Sequence, residues 1–303
     1  MNSRNPIADP PENGHDPSDE EFMSRTERAR RFAKRLFRNR LVLVSVIILV
    51  AFIFIALFAS QIVPENPYRS VIERRLAEPS AELWLGADLQ GRDMVSRLIM
   101  GSQIALYVGF LAVSVGLILG GLIGLFSGYY GGLVDTVLMR LMDIILSFPY
   151  LLLVIFVVSL IGPGVTNAML AISVTYIPQY ARLVRSVVVS VKEQDFVDGA
   201  HAIGASAFRT MFIHIAPHTV AHLIILSTIN LGKAILAEAG LSFLGLGVQP
   251  PQPSWGGMIA AGRDYLINAP HLSISPGLAV IVVVVSLNIF GDGLRDALDP
   301  KQI

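Results

Sequence analysis

Long charge-free apolar runs alternate with short polar stretches along this chain, and the alternation sets its elements. A membrane helix needs about 20 apolar residues. Leu41–Val63 carries no charge and meets that length. No charged residue occurs between Arg97 and Asp135, and Gly101–Phe126 gives a second crossing. The next charge-free run extends from Ile144 to Ala181. As one helix it would reach roughly 57 Å at about 1.5 Å per residue, too long for a hydrocarbon core of about 30 Å. Gly162-Pro163-Gly164 divides it into a third crossing over 137–161 and a fourth over 166–187. Residues 218–241 supply a fifth and 272–290 a sixth. The pattern predicts an all-α membrane protein of six transmembrane helices.

One polar stretch interrupts the greasy half of the chain: Glu193 to Pro217, EQDFVDGAHAIGASAFRTMFIHIAP. Its apolar residues fall at helical spacing, Phe196, Val197, Ala200 and Ile203, then Phe208, Met211, Phe212 and Ile215. Gly204-Ala205-Ser206 separates the two halves, with Ser206 placed to cap the second. Two short amphipathic helices at the end of membrane crossings make a knob that another protein can push or pull.

Composition agrees with a membrane chain. Of 303 residues, 53% are apolar and 15% charged, where a soluble domain carries about a quarter charged. The net charge is zero, which gives no footing for nucleic acid, and without cysteine there are neither disulfides nor thiolate metal sites. Residues 1–40 form a polar head with nine Lys/Arg, too long and polar for the charged segment of a cleaved signal peptide, and end in a basic amphipathic stretch, Arg25–Arg40. With that head inside, the inner segments hold sixteen Lys/Arg and the outer loops six. The asymmetry puts both termini and the 193–217 insert in the cytoplasm. Residues 64–100 then form an extracytoplasmic loop, 101–291 a transmembrane unit, and 292–303 a cytoplasmic tail.

Several residues carry more specific readings. Gly116, Gly120, Gly124 and Gly128 recur every four residues and form a smooth ridge on which another helix can pack closely, either permanently or as a sliding contact. His214, His218 and His222 lie four apart. With no Cys and no His-Glu-x-x-His pattern, and with Pro217 interrupting the helix, they read as interfacial packing rather than a metal site. Lys233 lies within the fifth crossing, where a charge costs at least about 2.5–3.5 kcal/mol. Glu238, five residues on, points about 140° away and is a poor partner on the same helix. Lys233 therefore faces a wet central path, pairs with an acid on another subunit, or snorkels. Arg140 and Asp143, three apart, suit a local ion pair. The sequence holds no phosphate-binding Gly-x4-Gly-Lys-Ser/Thr loop and no nucleophile or acid-base constellation, so any energy used must come from another polypeptide.

Asp198-Gly199-Ala200-x3-Gly204 followed by His214-Ile215-Ala216-Pro217 resembles the cytoplasmic loop of type I ATP-binding-cassette importer permeases. Other runs narrow the likeness to the C-type permease subunit of dipeptide, oligopeptide and nickel importers. They are Leu85-Gly86-Ala87-Asp88-x2-Gly91-Arg92-Asp93, Gly128-Tyr129-Tyr130-Gly131-Gly132-x2-Asp135, Tyr180-Ala181-Arg182-Leu183-Val184-Arg185, Leu241-Ser242-Phe243-Leu244-Gly245-Leu246-Gly247 and Gly291-Asp292-Gly293-Leu294-Arg295-Asp296. The resemblance runs from about residue 30 to the C-terminus.

It implies a complex of this chain, a homologous second permease, two ATPase subunits that bind ATP and Mg, and an extracytoplasmic solute-binding protein, in a bacterial cytoplasmic membrane. It also implies that Asp198, Gly199, Ala200, Gly204 and Pro217 belong to a coupling helix seated on an ATPase subunit, and that this chain binds no cofactor and catalyses nothing. Gly199 stands where the family has Ala, and Asp198 where it has Glu. Lys233, and with it Glu238, are the candidates for the translocation path. Peptides are the expected substrate, with a nickel chelate as the alternative. A self-contained carrier or channel is the reading from a different class; it would need buried ionisable pairs beyond Lys233 and Glu238.

Overall fold

The computed structural model describes residues 35–37 and 39–298. Most of the expected basic stretch Arg25–Arg40 and the last residues of the tail, 299–303, lie outside them. The described chain is helical throughout, with no strand beyond an isolated bridge between Ala87 and Asp93. Helix α1 is Arg40–Leu57, its start capped by Asn39, whose Oδ1 accepts from the Leu41 amide at 2.9 Å. A loop then leads to α2, Met94–Tyr130. Two shorter helices follow, α3 (Gly132–Leu146) and α4 (Tyr150–Ile161). Helix α5 is Val165–Val191 and α6 is Asp195–Ala202. A long helical segment, α7, runs over Ala207–Phe243, then α8 over Trp255–Gly262 and α9 over His271–Leu298.

Four of these, α1, α2, α7 and α9, are long and apolar enough to cross a membrane. A fifth unit is α3 with α4, which the sequence led us to expect as one continuous crossing over 137–161. The two are bent by 89°. Pro149 caps α4 and explains the break: it lacks an N–H and disfavours helical geometry at the residue before it. The second expected break holds, with Gly162 and Gly164 at φ 94° and 143°. Helix α5, expected as a crossing over 166–187, has the length of one but not the hydropathy, since it carries Asn167, Gln179, Arg182 and Arg185. Its composition suits its surroundings: it is wrapped by other helices, with Ile172, Tyr176, Tyr180, Ala181 and Val188 fully buried. A helix covered by protein needs no lipid-soluble exterior.

The glycine ridge of α2 makes that wrapping possible. Gly116, Gly120, Gly124 and Gly128 are all buried. A Cβ at Gly116 or Gly120 would sit 2.7 Å from the Cβ of Tyr176 or Tyr180, and one at Gly128 would sit 2.8 Å from the Cβ of Val188. Only a residue without a side chain lets the backbones approach that closely. Around this seam lies the main core, which includes Val108, Ala112, Val154, Ile172, Tyr176 and Leu241. A second core joins α1, α2, α8 and α9 around Phe52, Trp255, Leu272 and Val283. Leu36 and Val42 pack against Leu294, so the start of α1 meets the end of α9.

Candidate functional site

The first half of the polar insert and its turn form as expected. Helix α6 ends near Ile203, Gly204 turns the chain at φ 82°, and Ser206 Oγ accepts the Arg209 amide at 3.4 Å. A Cβ at Gly204 would meet nothing, so glycine is needed there for its left-handed backbone and not for space. The second half is not a separate helix. It is π-helical over Thr210–Ile215, tightens over Ala216–Thr219 where Pro217 sits exposed, and continues into the membrane helix α7. A push on the insert is therefore a push on a crossing.

The apolar residues of the insert divide into two sets. Val197, Met211 and Ile215 are buried in a small core with Leu125 of α2 and Val184, Val188 and Val191 of α5, Phe212 packs half-buried against it, and Ala200 is buried beside them on α6. Phe196, Ile203 and Phe208 stay on the surface; Ile203 is 87% exposed and Phe208 67%. Phe208 stacks on Phe212 with ring centroids 4.5 Å apart, and Phe196 on His218 at 5.5 Å. Helical spacing made all eight residues candidates for one face, and nothing in the spacing separates anchor from tip. Asp198 and Gly199 are exposed on α6, and a Cβ at Gly199 would touch nothing. With Asp195, Asp198 lies in the first turn of α6, where a carboxylate complements the helix dipole.

Beside the insert, two ion pairs bind α3 to α5. Asp135 receives Arg185 through both oxygens, at 2.5 and 2.6 Å, and Ser127 Oγ donates to it at 2.5 Å. Asp143 receives Arg182 at 2.6 Å. The local pair expected between Arg140 and Asp143 does not form: Asp143 turns to the helix on which α3 lies, and Arg140 is exposed. Helix α3 buries only Met142, and these pairs are its charged ties to α5.

Lys233 and Glu238 are not brought together. Lys233 is exposed on α7, while Glu238 is 1% exposed and accepts Ser242 Oγ at 2.7 Å. Among the described residues no group of His, Asp or Glu side chains is placed to hold a metal ion.

A helical chain with a polar insert fused to its crossings is the architecture of a transporter subunit, and comparison with known families agrees. Residues 120–303 match the family described as binding-protein-dependent transport system inner membrane component, and residues 28–79 match the N-terminal TM domain of oligopeptide transport permease C. The chain belongs to this family: it is a multi-pass permease subunit of a type I ATP-binding-cassette importer of the bacterial inner membrane, non-catalytic, with ATP hydrolysis carried by separate subunits.

Among its relatives, a dipeptide transport system permease protein of Alkalihalophilus pseudofirmus is 43% identical over 89% of this chain and 88% of its own length. A glutathione transport system permease protein of Pectobacterium atrosepticum is 39% identical over 90% of this chain and 91% of its own. In fold, the chain is similar to a chain of the MetNI methionine ABC transporter in an inward-facing conformation, with a TM-score of 0.55 and 18% identity, covering 68% of this chain and 98% of that one.

Proposed function

We propose that this chain forms the membrane path for short peptides in an importer built from a second, homologous permease, two ATPase subunits and an external solute-binding protein. Its chain would cross the membrane six times, α5 and the bent α3–α4 unit included, with both termini and the insert in the cytoplasm. The observation that carries the reading is the division of the insert, which grips α2 and α5 through Val197, Met211 and Ile215 and offers Phe196, Ile203 and Phe208 to a partner.

The mechanism follows from that connection. ATP binding draws the ATPase pair together, and the seated insert moves with it. Because the insert continues into α7 and shares a core with α2 and α5, the movement becomes a rocking of whole helices. Differential nucleotide binding thereby shifts the population between inward-open and outward-open states. Asp198, Gly199, Ala200, Gly204 and Pro217 shape the seat. Lys233 faces the path, where its charge stays wet, and Glu238 shapes the path wall from within through Ser242. Peptides are the substrate class favoured by relatives named for dipeptides and for glutathione, itself a tripeptide.

The test is uptake of a labelled dipeptide by proteoliposomes holding the complete complex. Asp198→Lys should abolish ATP-driven uptake with the complex still inserted in the membrane, and unchanged uptake would remove Asp198 from the coupling seat. Lys233→Ala should change the ranking of peptides differing in charge; an equal loss for every peptide would assign Lys233 to assembly.

A further inference from the structure

At the end of the bundle opposite the insert, the loop before α2, the start of α2, the end of α7 and α8 enclose a cavity of about 300 Å³. Three charged residues line it: Asp88, Arg92 and Arg97. The carboxylate is fully committed. Asp88 Oδ1 accepts the Gln90 and Arg92 amides at 2.8 and 3.0 Å, and Oδ2 accepts Arg92 Nε at 2.6 Å.

Arg97 is left over. It is 6% exposed, and its Nη1 donates to the Pro67 carbonyl at 3.1 Å. Its Nε lies 3.3 Å from Asp88 Oδ2 but makes no hydrogen bond there or with any other described residue. Two guanidinium groups thus share one carboxylate, leaving a surplus positive charge and an unmade donor on a buried cation. An unmade buried donor is costly, and more so on a charged group. The Nε itself is closed off, so a second carboxylate in the cavity would balance the surplus charge of the two guanidinium groups and not fill that donor.

The far wall is already rigid. Ser242 Oγ donates to buried Glu238 at 2.7 Å and accepts the Val248 amide at 3.0 Å, which ties the loop after α7 to the helix. Beyond the arginines the lining turns apolar at Met94, Phe243 and Met258. A built cavity with a few polar groups on an apolar floor is the usual form of a small-ligand site.

We propose that this cavity binds the free carboxylate of a short peptide, with Arg97 and Arg92 as its charge partners and the apolar floor taking the terminal side chain. The choice of a peptide rests on the permease reading above; the carboxylate does not. An acidic side chain from a docked protein would use the charge and leave the floor uncovered.

The test is calorimetry on the two permeases and two ATPase subunits in nanodiscs, without nucleotide and with the solute-binding protein left out, using alanyl-alanine and its C-terminal amide. The free acid should bind about tenfold or more tightly than the amide, as expected for a charged hydrogen bond. Arg97→Gln should collapse that ratio toward one, and Arg97→Lys should restore part of it. Ala261→Trp, at an exposed position of the wall outside the charged set, should block both ligands with the protein intact, which covers the case in which Arg97→Gln fails to fold.

Equal binding of acid and amide, or binding indifferent to Ala261→Trp, would overturn the site. Displacement by inorganic phosphate at the same concentration would reassign it to a phosphate or lipid headgroup, and loss of binding-protein docking in Ala261→Trp with no peptide bound would reassign it to a protein contact. A complex that imports peptide under ATP yet shows no preference for the acid sinks this site alone. One that imports nothing under ATP sinks the function proposed above.

Discussion

The ion pairs beside the insert and the charged cluster in the cavity hold their charges in opposite ways. Beside the insert the ion pairs are reached by water, Arg182 and Asp143 being 54% and 47% exposed and Arg185 and Asp135 38% and 19%. In the cavity the charges are enclosed: Arg97 and Asp88 side chains are 8% and 11% exposed, and Trp255 is buried against α2, donating to the Leu98 carbonyl at 3.0 Å. Open pairs contribute little and rearrange cheaply, whereas enclosed ones are expensive to disturb. The contrast suits the proposed role, in which the chain is pushed at one end and holds its shape at the other.

Substitutions can break or sharpen this contrast, and the largest effect belongs to the closed end. Asp88→Asn strands two guanidinium groups and should cost about 3–5 kcal/mol, seen as a large fall in the thermal unfolding midpoint of the purified protein. A shift no greater than that of Asp143→Asn would erase the distinction. At the insert end, Gly204→Ala forces a side chain into a left-handed turn and should cost about 1–2 kcal/mol, measured in the same way.

Gly199→Ala has the opposite sign. Its Cβ meets open space, and the gain in helix propensity should stabilise α6 by about 1 kcal/mol, readable as slower proteolysis of the insert. Asp143→Asn removes a half-exposed pair and should change stability by less than about 1 kcal/mol. The smallest change in stability, within about 0.5 kcal/mol, is expected for Ile203→Ala. In a binding assay with the ATPase subunits, the same substitution should weaken association at unchanged unfolding temperature. Retained association would place the contact elsewhere.

Much of this was legible in the sequence, and what was not has a physical reason. The long apolar runs, the Gly162-Pro163-Gly164 break, the cap at Ser206 and the glycine ridge act over a few residues, so local pattern reveals them. The bend before Pro149 was missed because the charge-free run continues through it, and hydropathy does not register a missing N–H. The partner of Asp143 lies on another helix, while the sequence offered the nearer Arg140. Which insert residues stay exposed depends on Leu125 and Val188, distant in the chain. The cavity joins residues 88–97 to 242–262 and Leu272, and no segment alone shows how the charges share one carboxylate.

The glycine seam between α2 and α5 has a consequence for movement. Backbones in such close contact have no side-chain layer to absorb slippage, so displacing one past the other would drive atoms into atoms along the whole row. The two helices must travel as a single plank. Whatever opens and shuts during the cycle has to do so at its edges, where α3 and α7 meet it, and probes placed across the seam should keep their spacing in every nucleotide state.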